Sequence, residues 1–364
     1  EMCIRDRVYV VHGQGTLYLT ELNSDVKSVK GKPVKIWQGG FKNAHELGGG
    51  FGMEGSHMYR INGKYYITCP AGGTGGWQIC LRSDNIYGPY EHKLIMNDWS
   101  SYPENGLHQG GMVQLKNGDW WFMIMQDRGP IGRVPCLVPV KWIDGWPMLG
   151  DEGKDLITYP KPATGKKSKI KSPATTDEFN ASQLGLQWQW NHNPDNSRWS
   201  LKERKGYMRL YASQASTLKD ARNTLTQRVQ GPSCEGSVEM EVTGLKDGNI
   251  AGFGIFEFPY AYVAIRQESG RRKIVMCNDG KDIETVEHFN GDKLWIRVRA
   301  TDKEFKALFY YSLDGVNYKR IGNELQMGLG LPWTANRFAL FNFNTTPQGN
   351  NGYADFNWFR FTNK

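Results

Sequence analysis

Short runs of alternating apolar and polar residues dominate the first 150 positions: VYVVHG (8–13), TLYLTEL (16–22), HMYRINGKYYITCP (57–70), QICLRS (78–83), GGMVQLKNGDWWFMIMQ (110–126) and CLVPVKW (136–142). A period of two over four to eight residues predicts half-buried strands. Turn formers separate them, among them Asn-Gly at 62–63 and 117–118, the strongest short hairpin signal. Long helical periodicity is absent. GSHMYRINGKYYI (55–67) and GGMVQLKNGDWWFM (110–123) repeat one plan: small residue, strand, Asn-Gly turn, aromatic-rich strand. A recurrence at this spacing suits the four-stranded blades of a β-propeller.

The alternation stops over 151–175, where Lys, Pro and Thr take over; this predicts a linker over 156–175, a first domain over 8–155 and a second over 176–364. Strands resume as GYMRLYAS (206–213), GSVEMEVTGL (236–245), IAGFGIFEF (250–258), AYVAIRQE (261–268), KLWIRVRAT (293–301), FKALFYYSLDGVNYKRI (305–321), RFALFNF (337–343) and ADFNWFRF (354–361). Many strands with short turns predict a β-sandwich, so the fold class is all-β throughout.

Composition adds a bias toward sugar. Thirteen Trp and 43 Gly suit β proteins whose indole faces stack on the C–H surfaces of sugar rings. The net charge of +8 comes partly from KPATGKKSKIKSP (161–173), read as a solvated linker. Elsewhere the signs are mixed, and no basic-plus-aromatic motif points to nucleic acid. No apolar run approaches the roughly 18 residues of a membrane helix, so neither nucleic acid nor membrane is an expected partner. The six cysteines form no C-x-x-C pair, which signals neither a zinc site nor a disulfide scaffold. The opening EMCIRDR (1–7) resembles translated adapter sequence at the end of a metagenomic fragment. It is set aside from fold reasoning together with Cys3 and Asp6.

The motif EGSHMYRINGKYYI (54–67), followed by YGPYE (87–91), LHQGG (107–111), GDWWFMIMQDRGPIGR (118–133) and PVKWIDGWPMLG (139–150), resembles glycoside hydrolase family 43. The second half, through LGLQWQWNHNPDN (184–196), RNTLTQR (222–228), KDGNIAGFG (246–254) and YADFNWFRF (353–361), resembles the concanavalin-type sandwich appended to that family's xylosidases and arabinofuranosidases. The resemblance implies a five-bladed propeller of which about the last three blades are present here. It also implies an exo-acting, inverting hydrolase that removes terminal α-L-arabinofuranose or β-D-xylose from hemicellulose such as arabinoxylan or xylan.

Inversion needs a carboxylic acid to protonate the leaving oxygen, and a carboxylate about 6.5–9.5 Å away to activate water. The resemblance makes Glu54 the acid, in tight glycine and apolar surroundings that would keep it protonated. It places the base and a tuning aspartate upstream of VYVVHG, where this sequence has only residues 1–7, so the chain alone is expected to be inactive. His108 matches a histidine that approaches a hydrated ion, with structural calcium the candidate and a hydrogen-bonded core histidine the alternative. Gln109 is expected to face the pocket and hydrogen-bond a sugar hydroxyl. Arg133 matches a sugar-contacting arginine, with a surface or interface salt bridge the alternative. Trp77 is either a sugar-stacking platform or a blade plug. Trp120, Trp121, Trp142, Trp146, Trp188 and Trp190 are read as core. Asp177 and Asp355 flank the first and last sandwich strands, either sharing a calcium or capping turns. Export to the periplasm or exterior is the implied address. A different reading is a non-catalytic carbohydrate-binding protein acting through the sandwich.

Overall fold

The computed structural model describes residues 2–4, 7–48, 52–98, 105–154, 158–163, 165, 169, 171–328, 334–347, 349 and 351–363. The chain forms two compact units, one of residues 1–128 and 133–168, the other of residues 129–132 and 169–364.

The first unit contains three four-stranded antiparallel sheets, each a meander in chain order. They are β1 (Met2–Ile4), β2 (Arg7–His12), β3 (Leu17–Leu22), β4 (Val34–Trp37); β5 (His57–Ile61), β6 (Lys64–Ala71), β7 (Trp77–Ser83), β8 (Glu91–Met96); and β9 (His108–Gln114), β10 (Trp120–Asp127), β11 (Arg133–Ile143), β12 (Trp146–Leu149). These are the three propeller blades expected. Met2–Ile4 and Arg7, set aside with the rest of 1–7 in the sequence reading, enter the fold, because the backbone of β1 pairs with β2 through Met2↔Tyr9 and Ile4↔Arg7. Asp6 lies outside the described residues.

The second sheet is buried on both faces. Ile67, Cys69, Ala71, Ile79 and Leu81 join a cluster with Leu17, Leu19 and Ile36 of the first sheet, while Tyr66 and Cys80 join Phe122, Ile124 and Val138 of the third. Burial on both sides explains why KYYITCP and QICLRS read as nearly continuous apolar runs. The two Asn-Gly turns differ. Asn62 and Gly63 both have positive φ, 50° and 84°, the two-residue turn whose twist matches a hairpin. At 117–118 only Gly118 is left-handed, and the chain closes a wider loop through Leu115 N–H donating to the Asp119 carbonyl.

The second unit is a sandwich of two eight-stranded sheets. Phe253, Phe338, Phe359, Ile296 and Val298 lie between them, all fully buried. Trp188 is part of this core, with Trp190 packed against it. The aspartates at its first and last strands do separate work. Asp177 accepts from Phe179 N–H (2.8 Å), Trp188 Nε1 (2.7 Å) and Gln187 Nε2 (3.3 Å). Asp355, buried, accepts from Arg209 Nε (2.8 Å) and Nη2 (2.9 Å) and from Arg204 Nη1 (3.0 Å). Protein donors engage both carboxylates: Asp177 caps a turn and Asp355 is the hub of an ion-pair cluster. Cys69, Cys80, Cys234 and Cys277 are buried free thiols; burial pushes that of Cys234 up to about 11. Among the described residues, no helix is long and apolar enough to cross a membrane.

Candidate active site

Glu54 occupies the turn that leads into β5. Gly52 bridges Ala71, and a Cβ there would stand 2.8 Å from both Ala71 Cα and the Pro70 carbonyl oxygen; only glycine allows this approach. Met53 N–H donates to the Pro70 carbonyl at 2.7 Å. Met53 is left-handed (φ 70°) and Gly55 likewise (φ 74°), and the Met53 side chain is fully buried. With Met53 anchored inward, Glu54 points out. It is exposed rather than enclosed by apolar neighbours, which corrects the surroundings expected from the flanking sequence.

The third sheet brings two more residues beside this turn. The β9–β10 register shifts between Ile124 and Met125, so that Gly110 faces Ile124 while His108 faces Met125. Gln109 is the extra residue of this bulge, at φ 58°; bulges of this kind re-aim a side chain. Its N–H donates to Gln78 Oε1 at 2.7 Å, and its amide lies so near Gly55 that a Cβ there would be 2.7 Å from Gln109 Nε2. The glycine after Glu54 therefore makes room for Gln109.

His108 is 3% exposed. Its Nδ1 lies 3.0 Å from the Gly106 carbonyl. A carbonyl can only accept, so Nδ1 carries the proton and Nε2 the lone pair in the neutral ring. Burial lowers the imidazole pKa from its ordinary 6.5, partly offset by the Gly106 carbonyl and by the charges of Asp127 and Glu54. His57 is lowered as well, first by burial. Both groups bind fewer protons folded than unfolded as pH falls below about 6.5, so they withdraw stability in that window and are neutral in effect above it. The urea midpoint is expected to drop between about pH 7.5 and 5.5, and His108→Gln to flatten that dependence. An unchanged slope in the variant would show that His108 is not protonated on unfolding in this range.

Arg133 and Asp127 are the last registered pair of the β10–β11 hairpin. Arg133 Nε lies 3.2 Å from Asp127 Oδ1, with the arginine side chain 38% exposed and the aspartate 0%. Oδ2 of Asp127 is buried and has no hydrogen-bond partner among the described residues. The carboxylate thus fixes the guanidinium from below. Sequence reading missed Asp127 and Gln78; the available signal was a charged residue ending the apolar run WWFMIM and an amide inside QICL.

Trp77 resolves as the blade plug. It is 9% exposed within the cluster shared by the first two sheets, and a Cβ on Gly72 would clash with its six-membered ring. An indole packed this way presents no sugar-stacking platform. Trp121 and Trp146 are buried as expected, with Trp120 and Trp142 packed against the cluster that holds Trp146.

Among the described residues, no group of three His, Cys, Asp or Glu side chains gathers to hold a metal. One neutral imidazole beside a carboxylate already paired with Arg133 does not match the oxygen-rich shell of calcium, so no step is routed through an ion. What converges is one exposed carboxyl group (Glu54), an amide (Gln109), a neutral histidine and an oriented guanidinium. The charges of Glu54, Asp127 and Arg133 all act on His108. The set can protonate a leaving oxygen and hold sugar hydroxyls.

A family model described as "Glycosyl hydrolases family 43" matches residues 4–147, and one described as "Beta xylosidase C-terminal Concanavalin A-like domain" matches residues 176–362. A beta-xylosidase of Formosa agariphila is 32% identical, over 86% of this chain and 60% of its own length. A non-reducing end alpha-L-arabinofuranosidase of Bacteroides ovatus is 28% identical, over 86% of this chain and 63% of its own. The chain thus spans about 60% of the length of these curated relatives. Among solved structures, a bifunctional GH43-CE protein of Bacteroides eggerthii aligns with a TM-score of 0.85 at 37% identity, covering 98% of this chain and 47% of that one. A GH43 glycoside hydrolase engineered to display both endo-xylanase and exo-arabinofuranosidase activity aligns at 0.82 and 27% identity, covering 99% and 74%.

Proposed function

Because the chain belongs to glycosyl hydrolase family 43, we propose that its first unit carries the acid half of an exo-acting, inverting active site. In this reading Glu54 protonates the glycosidic oxygen of a terminal α-L-arabinofuranose or β-D-xylose on arabinoxylan or xylan. Arg133 and Gln109 hold the sugar hydroxyls. The observation that carries it is the bulge at Gln109, which sets an amide against Gly55, beside the one exposed carboxyl of the turn.

The described residues offer Glu54 no second carboxylate suited to be the base, because Asp127 is fully buried and paired with Arg133. We therefore read residues 1–364 as inactive alone. The names of relatives divide between xylosidase and arabinofuranosidase, and we assign both sugars to one pocket. Export to the periplasm or exterior fits a polymeric substrate. The test is a paired assay on aryl α-L-arabinofuranoside and aryl β-D-xyloside with a form of the protein as long as its curated relatives. Turnover is expected, with the ratio of kcat/KM values fixing the preferred sugar; silence on both would overturn the assignment.

A further inference from the structure

We propose that the second unit carries a sugar-binding pocket of its own, distinct from the Glu54 site, that takes a single neutral pentose ring. The strand Ala261–Glu268 alternates between two environments. Ala261, Val263 and Ile265 face the sandwich core, whereas Tyr262 and Ala264 belong to a second buried cluster on the other face of the sheet, with Tyr260, Phe341 and Phe343. The segment carrying Ala215, Leu218 and Ala221 packs into that cluster. Beside it a cavity of about 220 Å³ remains, with Tyr260, Tyr262 and Phe343 among its lining, Arg266 and Asp282 in one wall, and Ser216 and Thr217 contributing hydroxyls.

The chemistry of this lining selects the ligand. The Tyr260 and Tyr262 rings stack on each other within 10° at 6.1 Å and are only 2% and 4% exposed, so they close the inner side of the cavity without offering an open ring face, and recognition rests on the polar groups of the lining. Arg266 grips Asp282 with both terminal nitrogens, Nη1 to Oδ2 at 2.6 Å and Nη2 to Oδ1 at 2.9 Å. Its Nε is buried with no hydrogen-bond partner among the described residues, the Glu268 carboxylate standing at 4.0 Å. An apolar ligand would strip water from this pair and return no hydrogen bond. An anion would meet Asp282 and Glu268. Vicinal hydroxyls both donate and accept, so they satisfy carboxylate lone pairs and guanidinium N–H groups together. The volume lies below the roughly 300–1,000 Å³ of sites for drug-sized ligands, which limits the occupant to one ring. With no open ring face to stack on, the site is expected to bind weakly.

The experiment titrates the isotope-labelled full chain with methyl β-D-xylopyranoside and methyl α-L-arabinofuranoside, following backbone amides by NMR. Saturable shifts are expected at residues 216–217, 260–266 and 277–282. They should persist in Glu54→Gln, since that carboxyl is in the other unit, and weaken at least tenfold in Asp282→Ala. If Asp282→Ala loses its dispersed spectrum, Thr217→Val tests the rim instead. Shifts confined to residues around Glu54, or none at the solubility limit of either glycoside, overturn the proposal. Neither result bears on whether Glu54 is a catalytic acid.

Discussion

The 364-residue chain is expected to release no detectable nitrophenol from either aryl pentoside, and Glu54→Gln is expected to leave that blank unchanged. In a form as long as the curated relatives, the same substitution should lower kcat by about 10²–10⁴ on substrates with a poor leaving group. The two halves of this prediction share one cause. Inversion at the anomeric carbon is a single displacement, in which water attacks one face while the acid protonates the oxygen departing from the other. A side chain that only donates a proton cannot generate the nucleophile, so Glu54 alone gives no rate for Gln to abolish. Gln keeps the volume and hydrogen-bonding reach of Glu but has no proton to transfer. The loss in the longer form should shrink with activated aryl leaving groups, which depart with little protonation; this separates a lost acid from a misfolded pocket. A robust rate in the 364-residue chain that Glu54→Gln removes would sink this account. It would mean that a base lies within the chain, and Asp127, buried with one oxygen unpartnered among the described residues, would be the first residue to test.

Alternation located β2, β3, β5, β6, β7, β9, β10 and β11, the half-exposed β5 among them; most of these pack one or both sides against a neighbouring sheet. β4, β8 and β12 were not: VKIW and EHKLIM carry charge or lysine toward solvent, and WPML is short and broken by proline, which is characteristic of edge strands. The site divides in the same way. Glu54, His108, Gln109 and Arg133 were legible through motif resemblance, whereas the environment of Glu54 was not. Its exposure follows from a left-handed backbone at Met53, and nothing in the letters GMEG predicts a non-glycine residue in that conformation. Asp127 escaped notice for a related reason. A carboxylate at a strand end normally faces water, and only the pairing with Arg133 across the hairpin makes full burial tolerable.

That pairing gives the second large effect. Arg133→Met is expected to lower the unfolding free energy by about 3 kcal/mol, the low end of the ~3–5 kcal/mol for breaking a buried pair. The low end applies because the penalty falls on the partner left behind. Asp127 is wholly buried and would keep an uncompensated carboxylate, while water already reaches the 38% exposed arginine. Asp127→Asn should cost less, about 1 kcal/mol, since an amide oxygen still accepts from Arg133 Nε and the arginine can turn to solvent. Combining Arg133→Met with Asp127→Leu should recover at least half of the single-variant loss, because an apolar pair leaves no buried charge. Chemical denaturation of the three variants measures this directly, and it needs no activity. In a catalytically competent longer form, Arg133→Met should raise KM for both pentosides more than it lowers kcat, as expected of a group that grips the sugar in ground and transition states alike. Asp127→Asn should shift KM in the same direction by a smaller factor, because it acts only by loosening the guanidinium. If Arg133→Met proves as stable as the parent chain, Asp127 does not depend on this arginine, and the positioning role assigned to the pair falls with it.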